Sequence, residues 1–393
     1  MDLIEVEEGT TKFFIPLQDD SSHFPPGSAP IFYNPRMEMN RDATVLFVAV
    51  VKPLEYLDAM GASGVRGLRV ATECGVAVTI NDRDHKAYEL IQRNALDHCP
   101  PVTVTCRNVH SLLAERRYDS VDIDPFGSPA PFIDSAIRGC GRFLMVTATD
   151  TAPLCGAHLN AGIRRYGAIP ANNEYHSETG LRTLLSFIAR ETVKFDRGIE
   201  PLFCYAKEHY VRAHFRLLNS ATAADKTVAR IGYILQCTRC PGRIEQAGLI
   251  PKTVKCEECG AGMKPIGPLW LGEIQDRSVI SAMKNVLGSM KLNTVHRLSL
   301  LLDLISDELP TSSHYDYHAL SKVARISPRP LSEVIAILRE RGYQASRAHY
   351  SGTALKTDAA AEVIIRVLKE KTKLCEGEVS TYQGNKEQED RFF

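Results

Sequence analysis

Between Leu54 and Thr147 the chain repeats one pattern: a short apolar run, a turn rich in small residues, then an amphipathic segment. Strands are expected over Leu54–Ala59, Val76–Asn81, Val102–Cys106, Ser120–Asp124 and Arg142–Thr147, with helices after the loop at Gly61 and over Asp84–Cys99 and Phe132–Cys140. Apolar runs bounded by turn signals fit strands covered on both faces. Strands alternating with helices achieve that cover in a doubly wound parallel sheet, so the expected fold class is α/β and Rossmann-like.

Ligands of such sheets bind beyond the carboxyl ends of the strands. The most informative strand end is Val121-Asp122-Ile123-Asp124-Pro125-Phe126-Gly127-Ser128-Pro129. Pro125 lacks an N–H and pushes its predecessor out of helical geometry, so the strand must stop at Asp124. A carboxylate and the Phe126 ring are thereby clustered at the ligand edge, which suits chemistry on the amino group of a flat base. Earlier in the chain, Asp58 precedes the loop Gly61-Ala62-Ser63-Gly64-Val65-Arg66-Gly67. The dinucleotide fingerprint wants Gly-x-Gly-x-x-Gly, and this spacing departs from it. With Asp58 ahead of it, the loop resembles the first motif of Rossmann-like methyltransferases, whose cofactor is S-adenosylmethionine. Asp82 ends the second strand, where a carboxylate accepts from both ribose hydroxyls. Asn108 lies beyond the third, near an adenine edge.

The chain has 393 residues, enough for two or three domains. No apolar run is long enough for a membrane-spanning helix, and the acidic start, Met1 to Glu8, lacks a signal-peptide pattern. A cytoplasmic protein is expected, with no membrane association and no obligate protein partner inferred. Net charge is zero, yet residues 201–300 carry 14 basic and 7 acidic side chains. A basic middle on a neutral chain fits a localised polyanion surface.

That middle holds two CxxC units, Cys237-Thr238-Arg239-Cys240 and Cys256-Glu257-Glu258-Cys259, separated by 15 residues. The spacing is that of a closed, four-thiolate structural Zn2+ site in a ribbon-like module. Arg239, Arg243, Lys252 and Lys255 surround it and suit phosphate contacts. The other seven cysteines follow no spacing rule and read as small core residues. Around residue 220 the composition turns small and polar, so a domain boundary is expected there: a methyltransferase domain over 1–220, with an N-terminal lobe over 1–52, and a C-terminal α+β domain over 221–393. Within the latter, helices are expected over 275–305, and Tyr317–Val323 with Ser332–Arg341 suggest a winged-helix-like unit. Ser21–Pro30 reads as a loop, and the last 18 or so residues as a polar tail.

Several landmarks occur in one order: Phe32-Tyr33-Asn34-Pro35-Arg36-Met37 with Asn40-Arg41-Asp42, then Asp124-Pro125-Phe126-Gly127-Ser128-Pro129, then Thr147-Ala148-Thr149-Asp150 with Leu154-Cys155-Gly156-Ala157-His158, then the four cysteines. Together they resemble the tRNA (guanine-26, N2)-dimethyltransferase family in its compact archaeal form, over about residues 1–370. The resemblance implies transfer of one or two methyl groups from S-adenosylmethionine to N2 of guanosine 26 in tRNA. It implies Arg41, Arg66, Asp82, Asn108 and Val109 around the cofactor, beside Asp58, Gly61 and Gly64 of the loop. It implies Asp124 at the target amine, with Phe32 and Phe126 flanking the base. Aspartate-proline-proline-aromatic is commoner in amino methyltransferases; here Phe126 takes the second proline's place. Gly127 is expected to leave room for a monomethylated base. Two other readings stand beside this one: the same chemistry on another tRNA guanine or on adenine N6 of DNA, and a non-catalytic nucleic-acid-binding protein. The strand-end set argues against the last.

Overall fold

The computed structural model describes residues 2–17, 31–96 and 101–370. The loop expected at Ser21–Pro30, the polar tail, and the last residues of the helix expected to reach Cys99 lie outside these.

A hairpin of β1 (Leu3–Glu8) and β2 (Thr11–Pro16) leads to α1 (Glu38–Val51). The alternating region follows as β3 (Glu55–Asp58), α2 (Val65–Cys74), β4 (Ala77–Asn81), α3 (His85–Ala95), β5 (Val102–Thr105), α4 (Val109–Glu115), β6 (Tyr118–Ile123), α5 (Ile133–Gly139) and β7 (Cys140–Ala148). Then come α6 (Thr151–Leu154), α7 (Leu159–Tyr166), α8 (His176–Val193), β8 (Arg197–Lys207) and β9 (Tyr210–Asn219). Seven strands form one sheet in the order β5-β4-β3-β6-β7-β9-β8. The first five are parallel, as the alternation predicts, but β9 runs antiparallel to both β7 and β8. The five strands expected to be parallel are so, and the two that follow make the sheet mixed. A tight hairpin joins β8 to β9 through Glu208 at φ 50°, and only an antiparallel pair closes over so short a link.

The order reverses between β3 and β6, so their carboxyl ends border the crevice where ligands of such sheets sit. Helix caps fix the surrounding loops. Asp84 accepts from the amides of Lys86 and Ala87 at the start of α3, and Asn108 from that of His110 at the start of α4.

The stretch Asn219–Thr227, small and polar in sequence, is largely a helix, α9 (Ala221–Val228), capped by Ser220 and packed on β8, where the Thr227 hydroxyl accepts from Ile199 N–H at 3.1 Å. The cysteine-bearing ribbon is a three-stranded sheet of β10 (Ile231–Cys237), β11 (Arg243–Ala247) and β12 (Met263–Trp270), with β10 central. The chain then returns to the large sheet. Helices α10 (Arg277–Leu287) and α11 (Val295–Asp307) set Val279, Ile280, Met283, Leu298, Leu301 and Leu302 into one apolar core with Phe47 of α1 and Phe203 of β8. The last unit runs β13 (Tyr315–Asp316), α12 (Tyr317–Ala324), α13 (Leu331–Glu340), β14 (Ala345–Arg347), β15 (Ala354–Thr357) and α14 (Ala361–Lys369), with its own core around Val334, Leu338, Leu355 and Ile364.

A sealed ionic cluster joins that unit to α8. Glu178 accepts from Arg182 Nε at 3.1 Å, His314 Nδ1 at 2.8 Å and Lys356 Nζ at 2.8 Å. Lys356 also reaches Glu308 at 2.8 Å and the Thr311 carbonyl at 2.9 Å. Arg182 also donates Nη1 to the carbonyls of Trp270 and Gly272 and Nη2 to that of Thr311. Among the described residues, no helix is long and apolar enough to cross a membrane.

Candidate active site

The loop after β3 is shaped by close packing. A Cβ on Gly61 would stand 2.4 Å from Ile80 Cγ2, and one on Gly67 2.5 Å from Ile80 Cγ1. Gly64 holds φ +82° at the head of α2, a conformation that side chains disfavour. Asp58 closes the loop from below by accepting from Gly67 N–H at 3.0 Å. Burial pushes the Asp58 carboxyl up to about 7, against the pull of Arg66. Asp82 accepts from Ala62 N–H at 2.9 Å through one oxygen and from Asp84 N–H at 2.9 Å through the other. Each oxygen keeps a lone pair, enough to take up a diol.

Arg66 links this loop to the acceptor edge. Its Nη1 donates to Asn40 Oδ1 at 2.8 Å and to Thr44 Oγ1 at 2.7 Å, while Nη2 pairs with Asp124. Asp124 is the partly open member of that pair, its side chain 20% exposed against 7% for Arg66. Beside it, Phe126 is 78% exposed and meets the Phe32 ring edge-on at 5.8 Å between centroids. An exposed ring backed by a half-buried one beside an ionic strand end suits the stacking of a flat group. Gly127 lies at φ +93°, a Cβ there would meet nothing within 4 Å, and its N–H donates to Thr149 Oγ1 at 2.9 Å. Asp150 accepts from Tyr166 OH at 2.6 Å, and the same hydroxyl meets Ser128 Oγ at 2.8 Å. The Thr147–Asp150 motif thus braces the loop that carries Phe126.

The expected site residues do not all converge in the same way. Asp82 holds the loop at Ala62, Asp58 holds it at Gly67, and Arg66 joins it to Asp124. Phe32 and Phe126 touch each other. Asn108 spends its side-chain oxygen on the α4 cap, and Val109 is buried behind it. Arg41 is buried, donating Nε to Glu8 Oε2 at 2.8 Å and Nη2 to the Asn34 carbonyl at 3.1 Å. Sequence reading missed the layer beneath: Asp122, Arg212, Tyr56 and Thr44. Asp122 shares its strand face with Asp124, two residues on, so an inward carboxylate needing a counter-ion was the available signal.

In the ribbon the four Sγ atoms of Cys237, Cys240, Cys256 and Cys259 lie within 4.8 Å of one another. Cys237 and Cys259 stand 3.4 Å apart, and Cys240 and Cys256 3.5 Å. Thiolates around a tetrahedral zinc at about 2.3 Å would be roughly 3.8 Å apart, close to this spacing. The amides of Arg239 and Cys240 point at Cys237 Sγ at 3.3 and 3.4 Å, and that of Gly242 at Cys240 Sγ at 3.4 Å. Such N–H groups stabilise thiolate charge, so the residues fit the ion. One expectation fails here. Arg243 is not free for phosphate: its side chain is 4% exposed, stacked on Tyr175 and Tyr315 at 4.3 and 3.8 Å, and it donates to the His314 carbonyl at 2.7 Å. Its planar guanidinium finds better cover between two rings than in water. Arg239 also donates to the Cys259 carbonyl, while Lys252 and Lys255 are exposed.

With this geometry in hand, the chain can be set beside known proteins. The model of the N2,N2-dimethylguanosine tRNA methyltransferase family matches residues 12–369. The chain belongs to this family. A tRNA (guanine(26)-N(2))-dimethyltransferase of Methanoregula boonei is 56% identical over 371 residues, which is 94% of this chain and 99% of that one. One of Methanosarcina mazei is 42% identical over 380 residues, covering 92% and 97%. The solved structure of Trm1 from Pyrococcus horikoshii with S-adenosyl-L-methionine superposes with a TM-score of 0.84 at 36% identity, over 94% of this chain and all of that one. The N2,N2-dimethylguanosine methyltransferase family thus spans both the α/β sheet and the ribbon.

Proposed function

We propose that this protein transfers one or two methyl groups from S-adenosylmethionine to the exocyclic N2 of guanosine 26 in tRNA, giving N2,N2-dimethylguanosine. The observation that carries the reading is the partly open Asp124 carboxylate at the β6 end, flanked by Phe126 and Phe32 and tied to the cofactor-type loop through Arg66. The family match and relatives that carry this activity in their names support it.

When bound, S-adenosylmethionine supplies an electrophilic methyl sulfonium. Asp82 suits its ribose hydroxyls and the Asp58–Gly67 loop its backbone contacts; Arg66, Asn108, Val109 and Arg41 are assigned to its rim. The protein's own task is positioning. The guanine N2 lone pair is delocalised into the ring, which makes it a poor nucleophile. Asp124 Oδ accepting an N2–H bond localises that pair and takes the proton as the amine is alkylated. A stacked guanine must be extruded to reach this carboxylate, and the exposed Phe126 ring, backed edge-on by Phe32, then offers a face for it to stack on. The open space at Gly127 gives a monomethylated base room to rebind. We assign the ribbon, with Zn2+ on its four cysteines, and the α12–α13–β14–β15 unit, read as winged-helix-like, to phosphate contacts with the tRNA body. The protein is assigned to the cytoplasm.

The test is a methyl-transfer assay with labelled S-adenosylmethionine and paired tRNA transcripts carrying G26 or A26, followed by product mapping. Dimethylguanosine at position 26 alone is expected. Transfer to the A26 transcript, to adenine of DNA, or to no nucleic acid at all would overturn the reading.

A further inference from the structure

Beneath Asp124 lies a second carboxylate that the chemistry above does not use. Asp122 is fully buried. It accepts from Tyr56 OH at 2.6 Å and lies 4.0 Å from Arg66 Nε. Arg66 therefore sits between two carboxylates, one sealed in the core and one at the ligand face. An ion pair is stronger where water is excluded, so a lone guanidinium in that position would be drawn toward the sealed one.

Arg212 removes that competition. It reaches in from β9 and is itself fully buried. Its Nη1 donates to Asp122 Oδ1 and to Thr147 Oγ1, both at 2.8 Å, and its Nη2 to Asp122 Oδ2 at 2.5 Å and Thr44 Oγ1 at 2.8 Å. Both oxygens of Asp122 are thus engaged by a two-toothed fork, the geometry in which arginine binds a carboxylate best. Thr44 accepts from Arg212 and Arg66 alike and fixes the distance between the two guanidinium groups. We propose that Arg212 is a positioning residue for methyl transfer: by satisfying Asp122 on both oxygens it leaves Arg66 to Asp124, and so fixes how the Asp124 carboxylate meets the acceptor amine. Burial alone would raise the Asp122 carboxyl, but Arg212 and then Arg66 outweigh it and hold it down to about 2, so the competing charge is permanent. The inference rests on Asp124 being the group that meets the amine.

The experiment compares Arg212→Met with the pair Arg212→Met, Asp122→Asn. It reads single-turnover methyl transfer at saturating tRNA and S-adenosylmethionine, with thermal unfolding alongside. Arg212→Met frees Asp122 to capture Arg66, and transfer is expected to slow by on the order of 10²-fold through misplacement of Asp124. Adding Asp122→Asn removes the competitor and is expected to recover most of that loss. A purely structural role for Arg212 predicts that relieving the stranded Asp122 charge restores thermal stability without restoring the rate per folded molecule, and that result overturns the proposal. So does an Arg212→Met enzyme at the parent rate. If Arg212→Met does not fold, the same comparison is made with Arg212→Lys, which keeps the charge but loses the fork. A parent protein inactive on tRNA fails the proposed function itself; an active parent without second-site recovery fails only this inference.

Discussion

Two buried ionic clusters of this protein make an instructive pair. The one under the crevice joins Asp122, Arg66, Arg212 and Asp124, with Asp58 feeling the charge of Arg66 without pairing with it; the other, between α8 and the last unit, joins Glu178, Arg182, Glu308, Lys356 and His314. In the second, all these side chains are at most 6% exposed, and each acid is met by at least two donors. In the first, one carboxylate reaches the surface and one acid, Asp58, is held short of full ionisation by burial. A saturated cluster specifies how two parts of a fold dock. A cluster that leaves one group open and in excess is prepared to meet something from outside.

The difference yields expectations of decreasing size. Asp124→Ala removes the open group and should slow methyl transfer about 10²–10⁴-fold while S-adenosylmethionine still binds, as read by a radiolabel assay and calorimetry. Retained activity would take Asp124 out of its role. Lys356→Met breaks the sealed cluster and strands Glu178 and Glu308. It should cost roughly 3–5 kcal/mol in denaturant unfolding, with transfer per folded molecule unchanged at saturating tRNA. A loss of rate as large as that of Asp124→Ala would erase the distinction between the clusters.

The smallest effects are in pH. Burial alone would raise the Glu308 carboxyl, but Lys356 and His349 hold it at about 2. Its stabilisation is therefore complete above the ordinary glutamate range and lost as pH falls from there toward 2. Asp58 has the reverse sign. Burial lifts it to about 7, so its contribution is present at low pH and lost as pH rises through that value. Asp58→Asn should therefore match the parent in unfolding free energy near pH 4 and exceed it by up to a few kcal/mol at pH 8. An unchanged difference across that range would show that Asp58 is ionised throughout.

What could be read in the sequence was local. The strands from β3 to β7, the Asp124-Pro125-Phe126 stop and the paired CxxC units depend on residues a few positions apart, and the structure keeps each of them. What could not be read depends on partners brought together by topology. Asp122 announces through its inward face that a cation must answer it, but nothing local says that the cation is Arg212, 90 positions later, because β9 is inserted antiparallel beside β7. Arg243 misled for a related reason: charge beside a zinc motif suggests phosphate, yet its neighbours are Tyr175 and Tyr315, far away in the chain. Asn108 and Asp82 carried more than one meaning, since a side chain that suits a ligand also suits a helix start or a loop amide.

The return of α10 and α11 to the large sheet makes the ribbon an excursion with both ends anchored in the same core. Cutting the chain near residue 220 would therefore unroof Phe47 and Phe203 along with the metal module, and loss of tRNA affinity in such a fragment would say nothing about the ribbon. A protease nick between the CxxC units, by contrast, leaves two pieces that the core still holds together. The ribbon can thus be loosened, shortened or exchanged in place, while the large sheet keeps its cover.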